Sequence, residues 1–227
     1  QYVRLWIRAL RSSGAEPLAS IPILVRPHPS RTKEWSDVDL SREKDVAVWG
    51  ASPVTPDAKN GYFDSLYHSS AVVGLNTSAF LEAAIAGRPV FTTLLPEHYE
   101  NQEGTIHFHY LTTVAGGLLH TARTMGEHVV QLNVCVAGGE RESARSRRFV
   151  EAFVRPHGLG QPATPMFADA VEALASTGDT HAAPGTEASP WLRTLLWPLA
   201  AFAERDAAAW FVASERDAAI IIWPGPR

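Results

Sequence analysis

The sequence predicts an α/β fold, in which a parallel β-sheet is covered by helices on both of its faces. Three observations lead to this prediction. Short apolar runs alternate along the chain with segments whose apolar residues recur at helical spacing. Glycine, proline and small polar residues separate these runs and segments. Strands that alternate with helices are joined by right-handed crossovers, which build parallel sheets that are buried on both faces.

In the N-terminal half, runs of branched apolar residues predict the strands. They comprise residues 21–25, 46–49, 71–75 and 90–95. Apolar residues three or four positions apart predict helices at residues 2–13, 62–69 and 78–86. Pro27 and Pro29 end the first strand, and Gly87 ends the third helix. Residues 52–61 contain two prolines and an Asn-Gly pair, which predict a loop.

In the C-terminal half, the same patterns predict a strand at residues 108–112 and helices at residues 115–136, 145–154 and 166–175. Residues 176–190 are small, polar and contain proline and glycine, so they are predicted to form a linker. Residues 191–227 are rich in tryptophan and partly amphipathic, and we expect a helical tail that Pro198 interrupts. The predicted organisation is therefore a domain at residues 1–175, followed by the linker and the tail.

The composition is that of a globular protein, with 45% hydrophobic and 19% charged residues. A formal net charge of −4 gives no reason to expect nucleic acid as a partner. Cys135 is the only cysteine, which excludes a disulfide within one chain and fits a reducing, cytoplasmic setting. No apolar run of about 18 residues occurs, so no segment is expected to span a bilayer. The start lacks both methionine and a signal-peptide core, so we expect the chain either to begin inside a longer gene product or to have been trimmed.

The stretch GLNTSAFLEAAIAGRPV, residues 74–90, places Asn76, Thr77 and Ser78 between a predicted strand and a predicted helix. Ligands of parallel sheets bind beyond the carboxyl ends of the strands, where helix N-termini present free N–H groups to phosphate. We therefore expect Thr77 or Ser78 to cap the helix, and the remaining groups of this turn, with Asn76, to hold a diphosphate. Glu82, one turn further along the helix, is expected to accept the hydroxyls of a ribose. The alternative is that one residue caps the helix and Glu82 is a solvated position.

Residues 66–91, LYHSSAVVGLNTSAFLEAAIAGRPVF, resemble the nucleotide-binding half of GT-B glycosyltransferases. In that family a strand, a small polar loop, a helix with a glutamate and the sequence G-[KR]-P-V follow in this order. The upstream ILVRPHP resembles a strand end of bacterial capsule polysaccharide transferases and CDP-glycerol glycerophosphotransferases. UDP-N-acetylglucosamine 2-epimerases share the half-fold and a related loop. The resemblance covers residues 1–175 and implies a Rossmann-like domain that makes up one half of a GT-B fold.

The resemblance also implies roles for particular residues. Arg26 and His28 would be catalytic, acting on the leaving phosphate as a cation and an acid; the alternative is that RPHP only ends a strand. Nucleotide and phosphate contacts are implied for Asn76, Thr77, Ser78, Glu82, Gln102 and Thr105. GT-B enzymes generally need no metal, so neither a metal nor another cofactor is expected. His98, His107 and His109 are therefore expected to be ordinary polar surface.

The expected function is transfer of a glycosyl or polyol-phosphate group from a nucleotide-activated donor to a glycan or lipid-linked acceptor, in bacterial capsule or similar glycan synthesis. Two alternatives are a sugar-nucleotide 2-epimerase and a non-catalytic nucleotide-sugar-binding scaffold. The acceptor-binding domain and the usual first strand are not found in the sequence, so a preceding domain or a partner subunit is expected to complete the cleft. The tail suits either a membrane surface, as in a peripheral inner-face enzyme, or packing against the sheet or a second copy.

Other functional signatures are misplaced or missing. Asp37-Val38-Asp39 matches the D-x-D motif of GT-A glycosyltransferases, but it lies in a polar stretch and not after an apolar strand. The sequence contains no Walker lysine loop, no G-x-G-x-x-G and no G-x-S-x-G. ATPase, dehydrogenase and hydrolase functions therefore have no support.

Overall fold

The computed structural model describes residues 2–28, 35, 38–50, 55–138, 143–176 and 218–222, which form six strands and seven α-helices. The strands are β1 (Ile23–Pro27), β2 (Val46–Val48), β3 (Ala71–Val73), β4 (Val90–Thr93), β5 (Leu119–Ala122) and β6 (Ala218–Ile222). The helices are α1 (Tyr2–Ser12), α2 (Pro56–Tyr67), α3 (Ala79–Ile85), α4 (Ile106–Thr113), α5 (Met125–Gly138), α6 (Ala144–Phe149) and α7 (Ala163–Ser176). Short 3₁₀ helices cover Pro96–Asn101 and Val114–Gly116, and a π-helical turn covers Val150–Val154.

The strands form one mixed sheet in the order β2-β1-β6-β3-β4-β5. β1 pairs with β2, β3 with β4, and β4 with β5, all in parallel. β6 lies in the centre and is antiparallel to both β1 and β3. The prediction of an α/β fold is therefore confirmed, but the prediction of an entirely parallel sheet is wrong. The sheet is mixed because β6 lies between β1 and β3 in the opposite direction; its run of three buried isoleucines suits a central strand.

Helices cover both faces of this sheet, as predicted. On one face α1 and α5 pack over the strands, and the fully buried side chains of this core include Trp6, Ile7, Leu10 and Leu132. On the other face α2, α3, α4 and α6 enclose a second core, which includes Leu66, Phe80, Phe108 and Phe149. Neighbouring strand residues alternate between the two cores: Ile220 and Ile222 face the first and Ile221 the second.

Three element predictions are wrong for identifiable reasons. Residues 108–112 form part of α4 and not a strand, because Phe108 and Leu111, three positions apart, are buried on one helix side. The predicted helix at 115–136 is interrupted by β5, which follows two glycines at positive φ, Gly116 (85°) and Gly117 (80°). The predicted loop at 52–61 contains the start of α2, where Thr55 accepts a hydrogen bond from the Ala58 N–H and Pro56 occupies the first turn.

The chain divides into two compact units, one made of residues 1–156 with 216–227 and the other of residues 157–215. The sheet belongs to the first unit, and α7 is the helix described in the second. Most of the predicted linker and tail lies outside the described residues. Where the tail is described, at Ala218–Ile222, the chain is a strand and not a helix. Among the described helices, none has both the length and the apolar character to cross a membrane.

Candidate functional site

The carboxyl ends of the parallel strands bring a buried arginine and two aromatic rings together. Arg26 of β1 is only 6% exposed, and it points to the face of the sheet that α2 covers. Its guanidinium carbon lies 4.6 Å from the ring centroid of Trp49, which directly follows β2. The same carbon lies 5.1 Å from the ring centroid of Tyr62 in α2. Both distances are those of cation–π contacts.

Gly50, which follows Trp49, lies next to the Arg26 guanidinium. Its φ of +124° lies in a region that side-chain-bearing residues rarely adopt. A Cβ atom at this position would lie 2.7 Å from the guanidinium carbon of Arg26, which is closer than two non-bonded atoms can approach. A side chain at position 50 would therefore displace the Arg26 guanidinium from its present position.

The guanidinium of Arg26 is left with unused hydrogen-bonding capacity. Its Nη1 is buried and has no hydrogen-bond partner among the described residues. Burial lowers the pKa of Arg26 below its ordinary value, and the nearby Tyr62 partly offsets this effect. A guanidinium nevertheless stays protonated in proteins. A buried cation with an unpaired donor is unfavourable on its own, so an anion that reached Nη1 would gain a strong charge-assisted hydrogen bond.

Tyr62 connects this arginine to the predicted ribose-binding carboxylate. The Tyr62 hydroxyl donates a hydrogen bond to Oε2 of Glu82 in α3. Burial, and then this hydrogen bond, raise the pKa of Tyr62 above its ordinary value. The phenol is therefore protonated and acts as a donor at any physiological pH. We refer to Arg26, Trp49, Gly50, Tyr62 and Glu82 as the Arg26 cluster.

The predicted phosphate-binding residues lie in the turn between β3 and α3. Asn76 donates through Nδ2 to the carbonyl oxygen of Asn101, and the same nitrogen lies 2.8 Å from Nε2 of His107. Thr77 Oγ1 accepts a hydrogen bond from the Ala79 N–H at 3.3 Å, whereas Ser78 makes no side-chain cap. Thr77 thus provides an acceptor for one N–H at the start of α3, a bond that is compatible with both interpretations of this turn. Phosphate contacts of these residues remain a prediction.

The side-chain nitrogen of Gln102 and the hydroxyl of Thr105 have hydrogen-bond partners within the chain, whereas the buried Oε1 of Gln102 has none among the described residues. Gln102 is 1% exposed, and its Nε2 lies 2.8 Å from the Leu75 carbonyl oxygen and 3.0 Å from that of Thr93. The same nitrogen lies 3.1 Å from Thr92 Oγ1. Thr105 Oγ1 donates to the Gln102 carbonyl oxygen at 2.8 Å. Gln102 therefore ties the chain that follows β3 to the carboxyl end of β4, a structural use that the sequence did not reveal.

We expect replacement of Gln102 by leucine to lower the free energy of unfolding by about 3 kcal/mol, because buried carbonyl groups lose their donor. Urea denaturation measures this change, and Gln161→Leu, at an exposed position, is the matched control. Nucleotide affinity of the folded variant should stay close to that of the wild type. A loss below about 0.5 kcal/mol, the usual range for surface substitutions, would show that Gln102 does not hold the strands together.

His28 directly follows β1, and its side chain is exposed at the same edge of the sheet as Arg26. The other histidines near this edge differ in environment: His98 is buried, whereas His107 and His109 are exposed. The described residues include no group of three or more His, Cys, Asp or Glu side chains placed to hold a metal ion.

Sequence reasoning missed Trp49, Gly50 and Tyr62. Trp49 and Gly50 could have been found, because they follow a predicted strand at the edge where Arg26 was already expected. Tyr62 was hidden by the interpretation of Asn60-Gly61 as part of a loop. Gly61 in fact lies inside α2, where a Cβ atom would come within 2.7 Å of the Trp49 ring.

The fold and the Arg26 cluster together define an α/β protein with a candidate anion site at the carboxyl edge of its sheet. Comparisons of the chain with protein-family models, with curated proteins and with solved structures found no match.

Proposed function

We propose that this chain is the nucleotide-binding half of a GT-B-type transferase. The enzyme would move a glycosyl or polyol-phosphate group from a nucleotide-activated donor to a hydroxyl of a glycan or lipid-linked acceptor, in bacterial capsule or similar glycan synthesis. The observation that carries the proposal is the buried Arg26 guanidinium, whose Nη1 lacks a partner among the described residues and which lies beside the Tyr62–Glu82 pair.

The topology of the sheet supports a ligand at this place. In doubly wound sheets, ligands bind where successive crossovers leave for opposite faces. The chain after β1 contributes Trp35 and Leu40 to the core on one face, whereas α3, which follows β3, packs on the other. The switch between faces therefore falls between β1 and β3, and Arg26 lies there, paired with Ala219 of β6.

Each residue of the site has a role in the proposed glycosyl transfer. The acceptor hydroxyl oxygen forms a bond to the anomeric carbon, and the bond from that carbon to the phosphate oxygen breaks with its electron pair left on the phosphate. Arg26 stabilises this negative charge, and His28 donates a proton to the leaving phosphate. Glu82 accepts the ribose hydroxyls, while Asn76, Thr77 and Ser78 contact the phosphates. The base that takes the acceptor proton belongs to a second, acceptor-binding domain or subunit.

The proposal extends to the cofactors and the cellular location of the enzyme. The reaction uses no metal or other cofactor. The enzyme works in the cytoplasm, and the Trp-rich segment at residues 191–217 holds it to the inner face of the membrane, close to a lipid-linked acceptor.

Calorimetric titration of the chain with CMP, CDP, UDP, GDP and TDP tests the proposal. We expect saturable binding of one nucleotide, and a Kd that rises about tenfold in Glu82→Ala as a ligand hydrogen bond to a charged group is lost. Glu151→Ala, which removes an exposed carboxylate elsewhere, is the control and should bind like the wild type. Absence of binding by the natively folded chain at millimolar nucleotide would contradict the proposal.

A further inference from the structure

Three side chains from three different elements lie in a row at the candidate site. Arg26 comes from β1, Tyr62 from α2 and Glu82 from α3. The Tyr62 ring contacts the Arg26 guanidinium on one side, and its hydroxyl binds the Glu82 carboxylate on the other. Tyr62 is thus the physical link between the cation proposed for phosphate and the carboxylate proposed for ribose.

The hydrogen bond from Tyr62 restricts the carboxylate in a specific way. Glu82 is an exposed side chain on a helix surface, and without a partner it would sample several rotamers. The bond engages Oε2 and leaves Oε1 to accept a hydrogen bond from a ligand. An acceptor that is already oriented loses less conformational entropy when a ligand hydroxyl binds to it.

The position of Tyr62 is itself fixed by its helix. Thr55 caps the N-terminus of α2 through its hydrogen bond from Ala58, and Leu66, one turn after Tyr62, is buried in the core. Gly61 packs against the Trp49 ring and holds the same turn of the helix to the chain that follows β2. The phenol is therefore held by the fold, whereas Glu82 is held by the phenol.

We propose that Tyr62 is a positioning residue, whose hydroxyl orients Glu82 toward the ribose diol of a bound ribonucleoside diphosphate while its ring keeps the Arg26 guanidinium aimed at the adjoining phosphate. This inference rests on the proposed function. It assigns the site a preference for ribonucleotides over nucleotides that lack the ribose hydroxyls. Tyr62 acts through its two neighbours and does not itself contact the nucleotide.

Tyr62→Phe removes the hydroxyl and keeps the aromatic ring, so it tests the hydroxyl alone. The Kd of the best-binding ribonucleoside diphosphate and of its 2′,3′-dideoxy analogue is measured by calorimetry for wild type and variant. We expect the Kd of the ribonucleotide to rise about tenfold, and that of the dideoxy analogue to stay unchanged. A residue that served only the stability of the fold would not change the ratio of these two constants.

Tyr62→Leu removes the ring as well, and we expect it to weaken binding of the dideoxy analogue and of inorganic diphosphate too. Tyr67→Phe on the same helix is the matched control, because the Tyr67 ring stacks on Phe63 and lies over Arg88, away from the Arg26 cluster. The double variant Tyr62→Phe with Glu82→Ala should bind no more weakly than Glu82→Ala alone, because the hydroxyl acts only through the carboxylate.

The outcomes separate the inference from the function on which it rests. If the wild type binds a ribonucleotide and Tyr62→Phe keeps the same ratio of constants, the positioning role is wrong and the proposed function stands. If the wild type binds no nucleotide, both fail together. The inference is supported if the Kd of the dideoxy analogue divided by the Kd of the ribonucleotide falls in Tyr62→Phe but not in Tyr67→Phe.

Discussion

Acidification from pH 7 to pH 5 is expected to lower the free energy of unfolding by about 2 kcal/mol through His128 alone. The His128 side chain is 0% exposed, and its Nε2 accepts a hydrogen bond from the Trp6 indole N–H at 2.8 Å. The neutral ring therefore carries its proton on Nδ1, which is buried without a partner among the described residues. Protonation of Nε2 would set a second N–H against that of the indole, and the hydrogen bond would be lost.

The direction of this effect follows from the two pKa values. Burial lowers the pKa of His128 from 6.5 to about 4 in the folded protein. As the pH falls below 6.5, the unfolded chain takes up a proton that the folded chain refuses, so stability decreases until the pH reaches about 4. Burial, and then Arg145, lower the pKa of His120 to about 4 as well, so part of the slope comes from that residue.

Urea denaturation at several pH values between 7 and 5 measures the slope. In His128→Gln, whose side-chain oxygen can still accept from Trp6, we expect the slope to decrease and the contribution of His120 to remain. His109→Gln, which replaces an exposed histidine, is the control for the His-to-Gln substitution itself. An identical slope in the wild type and in His128→Gln would show that this histidine is not the group that titrates.

The fold was predictable where local pattern and tertiary packing agree. β3 is an apolar run, and β4 combines apolar residues with the β-branched Thr92 and Thr93; all of these side chains are buried, so the sequence of each run indicates a strand inside the sheet. β6 was not predictable in the same way. Its isoleucine run follows a helix-like stretch, and its place depends on the space between β1 and β3, which lie far away in the sequence. α4 contains aromatic and β-branched residues that favour strands, but the burial of Phe108 and Leu111 determines a helix.

Site residues near the ends of strands could be predicted from the sequence. A site residue whose position depends on where a helix begins could not. Arg26 and Glu82 were expected at the carboxyl edge, and the structure connects them through Tyr62. Tyr62 could not be expected, because its position depends on α2 beginning at Pro56. A ligand contact of Gln102 stays a prediction, and the sequence did not reveal that its buried Nε2 lies within hydrogen-bond distance of three acceptors in its own chain.

Replacement of Arg26 by methionine is expected to raise the Kd of the ribonucleoside diphosphate at least about a hundredfold, because a charge-assisted hydrogen bond at a buried position is lost. The same variant should unfold at a free energy within about 1 kcal/mol of the wild type, or be more stable. Methionine fills much of the space between the Trp49 and Tyr62 rings, and it removes a buried cation with an unpaired donor. A residue kept for binding, and not for stability, should behave in this way.

Calorimetry measures the nucleotide affinity of wild type and variant, and urea denaturation of the same preparations measures their free energy of unfolding. Arg26→Lys keeps the charge but lacks the planar fork, so its affinity should lie between those of wild type and Arg26→Met. Arg148→Met removes an exposed arginine of α6 and controls for the change in net charge. Unchanged affinity in Arg26→Met would show that no anion binds there. A stability loss above about 2 kcal/mol would instead make the guanidinium a structural cation, held between two rings to join β1 to α2.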